Sequence, residues 1–173
     1  MANVRPATAR DGDAVGRVQV ESWRAAYAGL LPEEAVAGFD IEARQRLWRE
    51  WLAETPATRF GGPASELFVA ELDGDVVGFA NVGEARDEAR EGELYAIYVD
   101  PSCWGRGVGR ALIERAEEAL RAAGFREAIL WVLEGNARAE RFYGSAGWTE
   151  DGRKADEFQG AEVVELRYRK SLV

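Results

Sequence analysis

The pattern of hydrophobic and polar positions along the chain changes several times between a strand period and a helix period. Six stretches have the composition or alternation of β-strands, and they lie at residues 3–6, 66–72, 76–82, 93–99, 128–133 and 163–168. The pair Asp73-Gly74 between the second and third stretches predicts a tight hairpin. Because no helical stretch separates the second, third and fourth strands, we expect these three to be antiparallel.

Four other stretches repeat their apolar positions at helical spacing, and they lie at about residues 13–27, 41–53, 108–123 and 136–146. Two prolines and two glycines between residues 54 and 65 predict a loop there. The segment 93–133 reads as a parallel strand–helix–strand unit. The order therefore predicts an α/β fold with a mixed central sheet, whose N-terminal strands are antiparallel. A length of 173 residues fits one domain over 1–173.

Composition and charge narrow the functional classes. Lys and Arg total 22 against 31 Asp and Glu, giving a net charge of −9, which disfavours general nucleic-acid binding. That charge suits a cationic substrate such as an amine, although it also simply aids solubility. The chain has no histidine, which excludes His-based triads and His-containing zinc sites. The single Cys103, the apolar runs far shorter than a membrane span and the polar N-terminus predict a cytoplasmic protein.

Gly105, Gly107 and Gly109 lie between the strand 93–99 and the helix that begins near residue 108. The first turn of a helix has unpaired N–H groups and a dipole that favours negative charge. Glycine lets an anion approach the backbone closely because it has no Cβ. The pattern predicts a loop that binds a pyrophosphate, and a tight turn without a ligand stays as the alternative.

The spacing of these glycines argues against two common nucleotide motifs. A Walker A loop needs Lys and Ser or Thr after its last glycine, whereas Arg110 and Ala111 follow Gly109. A dinucleotide fingerprint needs a third glycine at position 110 or 112, which are Arg110 and Leu112. A nicotinamide-dependent oxidoreductase is therefore only a remote alternative function.

Two segments resemble the GNAT superfamily of N-acetyltransferases. The run from Val99-Asp100-Pro101 to Leu112 resembles the family's loop for the pyrophosphate of acyl-CoA, with Trp104 where the family has Gln or Arg. The run 133–148 resembles its N-x-x-A-x-x-F-Y-x-x-x-G-F signature, with Trp148 in place of the last Phe. The matching residues of that signature are Asn136, Ala139, Phe142, Tyr143 and Gly147.

The resemblance implies a GNAT fold and direct acetyl transfer from acetyl-CoA to a primary amine, without a metal or a covalent intermediate. It implies that Asn136 binds the pantetheine arm and that Tyr143 protonates the leaving thiolate, although packing alone is the alternative for Tyr143. The coenzyme would also contact the backbone of one strand and of the loop, namely Ile97, Tyr98, Val99, Trp104, Gly105, Arg106, Gly107, Val108, Gly109 and Arg110. The side chains of Arg106 and Arg110 would assist the phosphates or remain surface charges.

The acceptor side is less specific. Glu93 lies eleven residues before Trp104, where some family members have a catalytic glutamate, and we expect it to be the general base. The alternatives are that Glu91 or a bound water is the base, or that Glu93 is simply a solvated residue at the end of its strand. Alternation predicts that 93, 95, 97 and 99 face one side of the strand and 94, 96 and 98 the other. Trp23 and Tyr27 share a helix face and would line the acceptor site or belong to the core.

The resemblance leaves the acceptor amine unidentified. The alternative function is a non-catalytic module that binds or senses acyl-CoA, which a carboxylate at 93 and a tyrosine at 143 disfavour. The expected partners are acetyl-CoA and the amine, with no nucleic acid and no membrane. Dimerisation is common in such folds, so a homodimer stays an open expectation.

Overall fold

A computed structural model describes residues 1–54, 65–87 and 90–173 of the chain. The helices are α1 (Gly12–Tyr27), α2 (Glu33–Ala37), α3 (Ile41–Ala53), α4 (Val108–Ala122) and α5 (Ala137–Ser145). The strands are β1 (Asn3–Pro6), β2 (Glu66–Leu72), β3 (Asp75–Glu84), β4 (Gly92–Val99), β5 (Glu127–Leu133), β6 (Thr149–Phe158) and β7 (Ala161–Ser171). The loop predicted for 54–65 lies almost entirely outside the described residues.

The strands form one mixed sheet in the order β1-β2-β3-β4-β5-β7-β6. All neighbouring pairs are antiparallel except β4 and β5, which confirms the predicted mixed sheet. The β2–β3 hairpin turns at Asp73 and Gly74, with φ values of 55° and 92°. Both central residues of the turn are left-handed, as the Asp-Gly pair predicts.

The strands β4 and β5 pair only at their N-terminal ends. Gly92 is opposite Ala128 and Glu93 is opposite Ile129, and the parallel ladder stops there. Beyond that point the two strands diverge, as the family resemblance implies for the entry of a coenzyme. Their unpaired backbone groups then border a cleft in the middle of the sheet.

Helices cover the sheet on both faces. Leu112 and Ile113 of α4 pack with Phe68 on one face. On the other face, Val15 of α1 and Trp48 of α3 pack against neighbouring strands. Both clusters are almost fully buried and hold the helices around the cleft.

A β-bulge in β4 reverses the predicted faces of that strand. Val82 is opposite Leu94 and Asn81 is opposite Ala96, so Tyr95 is the extra residue. Ile97 and Val99 consequently pack on the α4 side together with Leu94, whereas Ala96 and Tyr98 pack towards α1 and α3. The predicted alternation through 93–99 is therefore wrong beyond the bulge, because one inserted residue shifts the side-chain period.

Two elements were not predicted from the sequence. The strand β6 has the sequence TEDGRKADEF, which is mostly exposed and lies at the edge of the sheet. The helix α2 has only five residues, too few for an apolar period. Among the described residues, no helix combines the length and the apolar character needed to cross a bilayer.

Candidate functional site

A cavity of about 490 Å³ occupies the cleft where β4 and β5 diverge. It is bordered by β4, the glycine loop, the C-terminal end of α1 and the N-terminal part of α5. Most of the predicted site residues line it: Tyr27, Ile97, Tyr98, Val99, Trp104, Gly105, Gly107, Gly109, Arg110, Asn136 and Tyr143. Of the described residues that the sequence analysis selected, Trp23, Glu93, Arg106 and Val108 are outside this lining.

The glycine loop has a backbone that favours glycine at two positions. Gly105 and Gly107 have φ values of 75° and 81°, in the left-handed region, and α4 begins at the next residue, Val108. A Cβ at either glycine would meet no atom within 4 Å, so backbone conformation rather than crowding favours glycine there. The loop therefore turns the chain directly from β4 into α4 and leaves open space in front of its backbone.

The amide groups of this loop divide into two sets. The N–H groups of Trp104 and Arg106 donate to the carbonyls of Pro101 and Cys103, each at 3.3 Å. The amides in the first turn of α4 come before the first residue that can form an intrahelical bond, Ala111, whose N–H donates to Gly107 at 3.1 Å. The first turn of α4 is therefore the part of the loop that can hold an anion.

Trp104 fastens the loop to the end of β4 and contacts α5. Its indole N–H donates to the Val99 carbonyl at 2.7 Å. The guanidinium carbon of Arg138 lies 3.1 Å from the centroid of the Trp104 ring. Arg138 lines the main cavity and also an adjoining cavity of about 300 Å³, as do Trp104 and Asn136. Arg138 was not singled out from the sequence, and its only signal there was its place inside the second motif.

Asn136 and two tyrosines form the other end of the cavity. The Asn136 side-chain oxygen accepts from the Ala139 N–H at 3.2 Å and caps α5. Burial raises the pKa of Tyr27, and a hydrogen bond with Asn136 partly opposes that rise. Burial also raises the pKa of Tyr143, to which the proximity of Tyr27 adds. The hydroxyl of Tyr143 therefore stays protonated at neutral pH.

Glu93 lies beside the cavity instead of in its lining. Its side chain is 1% exposed and accepts the backbone N–H of Arg86 at 3.0 Å. The guanidinium of Arg86 bonds to the same carboxylate, with Nε 3.0 Å from Oε1. Tyr95, which comes two residues after Glu93 in β4, does line the cavity. Burial raises its pKa to about 12.

Trp23 belongs to an aromatic cluster next to the cavity. Its ring stacks on Phe39 at 4.5 Å and lies 4.9 Å from Phe158 of β6. It also contacts Tyr27, at 4.8 Å between ring centroids. Trp23 thus supports the tyrosine that lines the cavity and joins the C-terminal hairpin to α1.

The arginines of the glycine loop already have neighbouring partners. Arg110 donates to Glu114 at 2.6 Å and to the Ser145 carbonyl at 3.4 Å. Arg106 approaches the Cys103 sulfur at 3.8 Å. Cys103 and Trp131 also line the cavity, although neither was assigned a site role from the sequence.

Comparison with known families places the chain among acetyltransferases. Residues 17–148 match the model of the acetyltransferase (GNAT) family. An uncharacterized N-acetyltransferase of Bacillus subtilis, YuaI, is 32% identical over 139 residues, covering 79% of this chain and 74% of that protein. A mycothiol acetyltransferase of Beutenbergia cavernae is 41% identical over 85 residues, which cover 49% of this chain and only 29% of that protein.

Solved structures share the fold over the whole length of the chain. The PaiA N-acetyltransferase of Thermoplasma acidophilum, solved in complex with coenzyme A, has a TM-score of 0.74 at 21% identity and covers 99% of both chains. A GCN5-related N-acetyltransferase of Rhodopseudomonas palustris has a TM-score of 0.76 at 21% identity, covering 99% of this chain and 96% of that one. At 21% identity these likenesses show a shared fold and nothing finer.

Proposed function

Because the chain belongs to the GNAT family of acetyltransferases, we propose that it transfers an acetyl group from acetyl-CoA directly to a primary amine. The observation that carries this proposal is one cavity that joins the glycine loop to Tyr143 through the β4–β5 cleft. Such a cavity has an anion site at one end and a proton donor at the other. This is the arrangement that a long thioester with a pyrophosphate requires.

The donor would lie in the cleft with its pyrophosphate at the first turn of α4. Its pantetheine arm would run along β4 near Ile97 and Val99, where the backbone has no partner strand on the β5 side. A backbone N–H near Ile97 would then polarise the thioester carbonyl. Asn136, at the start of α5, would bind an amide of the arm.

The reaction needs two proton movements. The neutral amine attacks the thioester carbon, a C–N bond forms, and the C–S bond breaks to release a thiolate. Tyr143 would donate its proton to that sulfur, since it lines the cavity and its phenol is protonated in the resting enzyme. The amine loses a proton at the same time, so a base must receive it.

We propose Glu93 as that base, acting through water. Its carboxylate is buried and bonded to Arg86, and its side chain lies outside the cavity lining. A direct contact with the amine would therefore require Glu93 to leave Arg86. A water chain past Tyr95 avoids that displacement. A Glu93→Gln variant whose pH–rate profile matches that of the wild type would contradict this role.

The proposed function is tested by following thiol release from acetyl-CoA with a panel of primary amines. With an accepted amine, Tyr143→Phe should lower kcat about 100-fold or more while acetyl-CoA still binds. Tyr168→Phe is the matched control, because Tyr168 is equally buried, at 8% exposure, and lies outside the cavity lining. Binding of acetyl-CoA without turnover of any amine would instead indicate a sensor module.

A further inference from the structure

Arg138 carries a charge in the cavity that has no protein counter-charge. It is the second residue of α5, and its guanidinium stacks on the Trp104 ring at 3.1 Å. Throughout the described ranges 1–54, 65–87 and 90–173, no carboxylate is within ion-pair distance of Arg138 and no acceptor takes a hydrogen bond from it. A guanidinium has five N–H donors, and because Arg138 is exposed, solvent takes those donors until a ligand replaces it.

Three other arginines near the cleft have carboxylate partners, whereas Arg106 of the glycine loop approaches only the Cys103 sulfur. Arg110 pairs with Glu114 at 2.6 Å, Arg17 pairs with Asp100 at 3.0 Å, and Arg86 pairs with Glu93. Of the two arginines that line the cavity, Arg110 has a carboxylate partner and Arg138 has none among the described residues. A carboxylate there would neutralise the guanidinium and repel an incoming anion.

The position of Arg138 gives its positive charge little stabilisation from the protein in the unliganded state. Arg138 is exposed, although the neighbouring protein removes part of its hydration, which lowers its pKa. It also lies in the first turn of α5, where the helix dipole repels positive charge. Contact with the face of Trp104 compensates only in part. An anion bound between the guanidinium and the loop would relieve both effects.

The place of the guanidinium indicates which anion it meets. Trp104 is the residue from which the glycine loop starts, so its ring holds Arg138 at the loop end of the cavity. The free amides of α4 begin four residues later, at Val108. Guanidinium groups bind phosphate with two parallel hydrogen bonds, which backbone amides complement from another direction.

We infer that Arg138 binds a phosphate of the acetyl-CoA donor together with the first turn of α4, leaving its resting place on Trp104 when the donor enters. This inference rests on the proposed function. It assigns to α5 a charged contact with the coenzyme in addition to the Asn136 contact. The ligand chemistry is a phosphate, which either the pyrophosphate or the ribose 3′-phosphate of the coenzyme can supply.

The test measures the Kd of coenzyme A by calorimetry at several salt concentrations. Arg138→Gln should weaken binding about tenfold or more, because a charge-assisted bidentate contact is lost. Its affinity should also fall less steeply with added salt than that of the wild type. Arg138→Lys should recover part of the loss. Arg141→Gln is the control and should match the wild type, because Arg141 is also exposed, lies one turn further along α5 and is outside both cavity linings.

Dephospho-CoA distinguishes the two phosphate sources. If the wild type and Arg138→Gln differ as much for dephospho-CoA as for coenzyme A, the contact is with the pyrophosphate. If the difference disappears, the contact is with the 3′-phosphate.

Three outcomes would overturn the inference. Unchanged affinity of Arg138→Gln for coenzyme A would do so, including the case in which only the KM of a carboxylated acceptor rises. A loss with an unaltered salt dependence and no recovery in Arg138→Lys would indicate packing instead of a phosphate contact. A wild type that binds no coenzyme at all would overturn the proposed function itself, and that failure is visible before any variant is made.

Discussion

A buried charge on α4 and an exposed charge on α5 have opposite surroundings. Glu117 of α4 is 5% exposed and bonds to the Lys170 ammonium, with both oxygens at 2.7 Å. The Trp148 indole also donates to it, at 3.0 Å. Arg138 of α5, by contrast, stacks on the face of the Trp104 ring and has no ion pair or hydrogen bond among the residues that the structure describes.

The difference separates a charge with several partners inside the fold from a charge that we propose binds a ligand. The Glu117 cluster joins α4 to β7, and through the Lys170 bond to the Ala146 carbonyl it also holds the end of α5, at 2.7 Å. Its hydrogen bonds are internal, so it has nothing left to offer a substrate. Arg138 lines a cavity and has no ion pair or hydrogen bond among the described residues. The saturated cluster therefore anchors the C-terminal end of α5. The charge near the N-terminal end of α5 borders the cavity.

The largest effect is expected from removing the acidic member of the saturated cluster. Glu117→Ala leaves the Lys170 ammonium without its counter-charge and the Trp148 N–H without its acceptor. We expect the free energy of unfolding to fall by about 3 kcal/mol, measured by urea denaturation. Glu118→Ala removes an exposed neighbour on the same helix and should cost less than about 0.5 kcal/mol.

A second substitution sharpens that result. Lys170→Met in the Glu117→Ala background should restore part of the stability, because it removes the unpaired ammonium. If Glu117→Ala unfolded at the same urea concentration as Glu118→Ala, the cluster would not be holding α4, α5 and β7 together.

The sequence could predict the parts of the fold that depend on local patterns. The glycine loop, the start of α4 and the hairpin at Asp73-Gly74 each follow from backbone preferences of a few adjacent residues. The strand β6 could not be found this way, because its side chains are mostly charged and exposed and its partner β7 provides the pairing. The bulge at Tyr95 was missed for a similar reason, since pairing with β3 defines it.

The candidate site likewise contains residues that the sequence could place and residues that only the packed structure could place. Asn136 and Tyr143 could be placed on one side of a helix from their spacing, and both line the cavity. The bond between Glu93 and Arg86 could not be anticipated, because it joins a loop residue to a strand residue. Arg138 was overlooked because its importance lies in having no counter-charge among the described residues, a property that only the packed structure displays.

A ligand should act on the two charges differently. At a concentration of 100 times the wild-type Kd, coenzyme A should stabilise the wild type by about 2.7 kcal/mol. Arg138→Gln, with tenfold weaker binding, should gain only about 1.4 kcal/mol at the same concentration. Glu118→Ala should gain as much as the wild type. Thermal denaturation with and without coenzyme A measures the three increments in stability. Equal increments for all three proteins would contradict the proposed difference between Arg138 and the Glu117 cluster.

The smallest effect is expected for Arg138 in the absence of ligand. Arg138→Met loses the contact with the Trp104 ring, worth about 0.5–1 kcal/mol. It also removes a positive charge from the first turn of α5, which raises the free energy of unfolding by about 0.3–1 kcal/mol. These contributions nearly cancel, so the free energy of unfolding should stay within about 0.5 kcal/mol of the wild-type value.

Urea denaturation of Arg138→Met beside the exposed Arg141→Met measures this difference directly. A loss as large as that of Glu117→Ala would mean that Arg138 is a structural residue after all. A near-zero change combined with weaker coenzyme binding would mean that α5 keeps this guanidinium for the ligand, since the unliganded fold gains almost nothing from it.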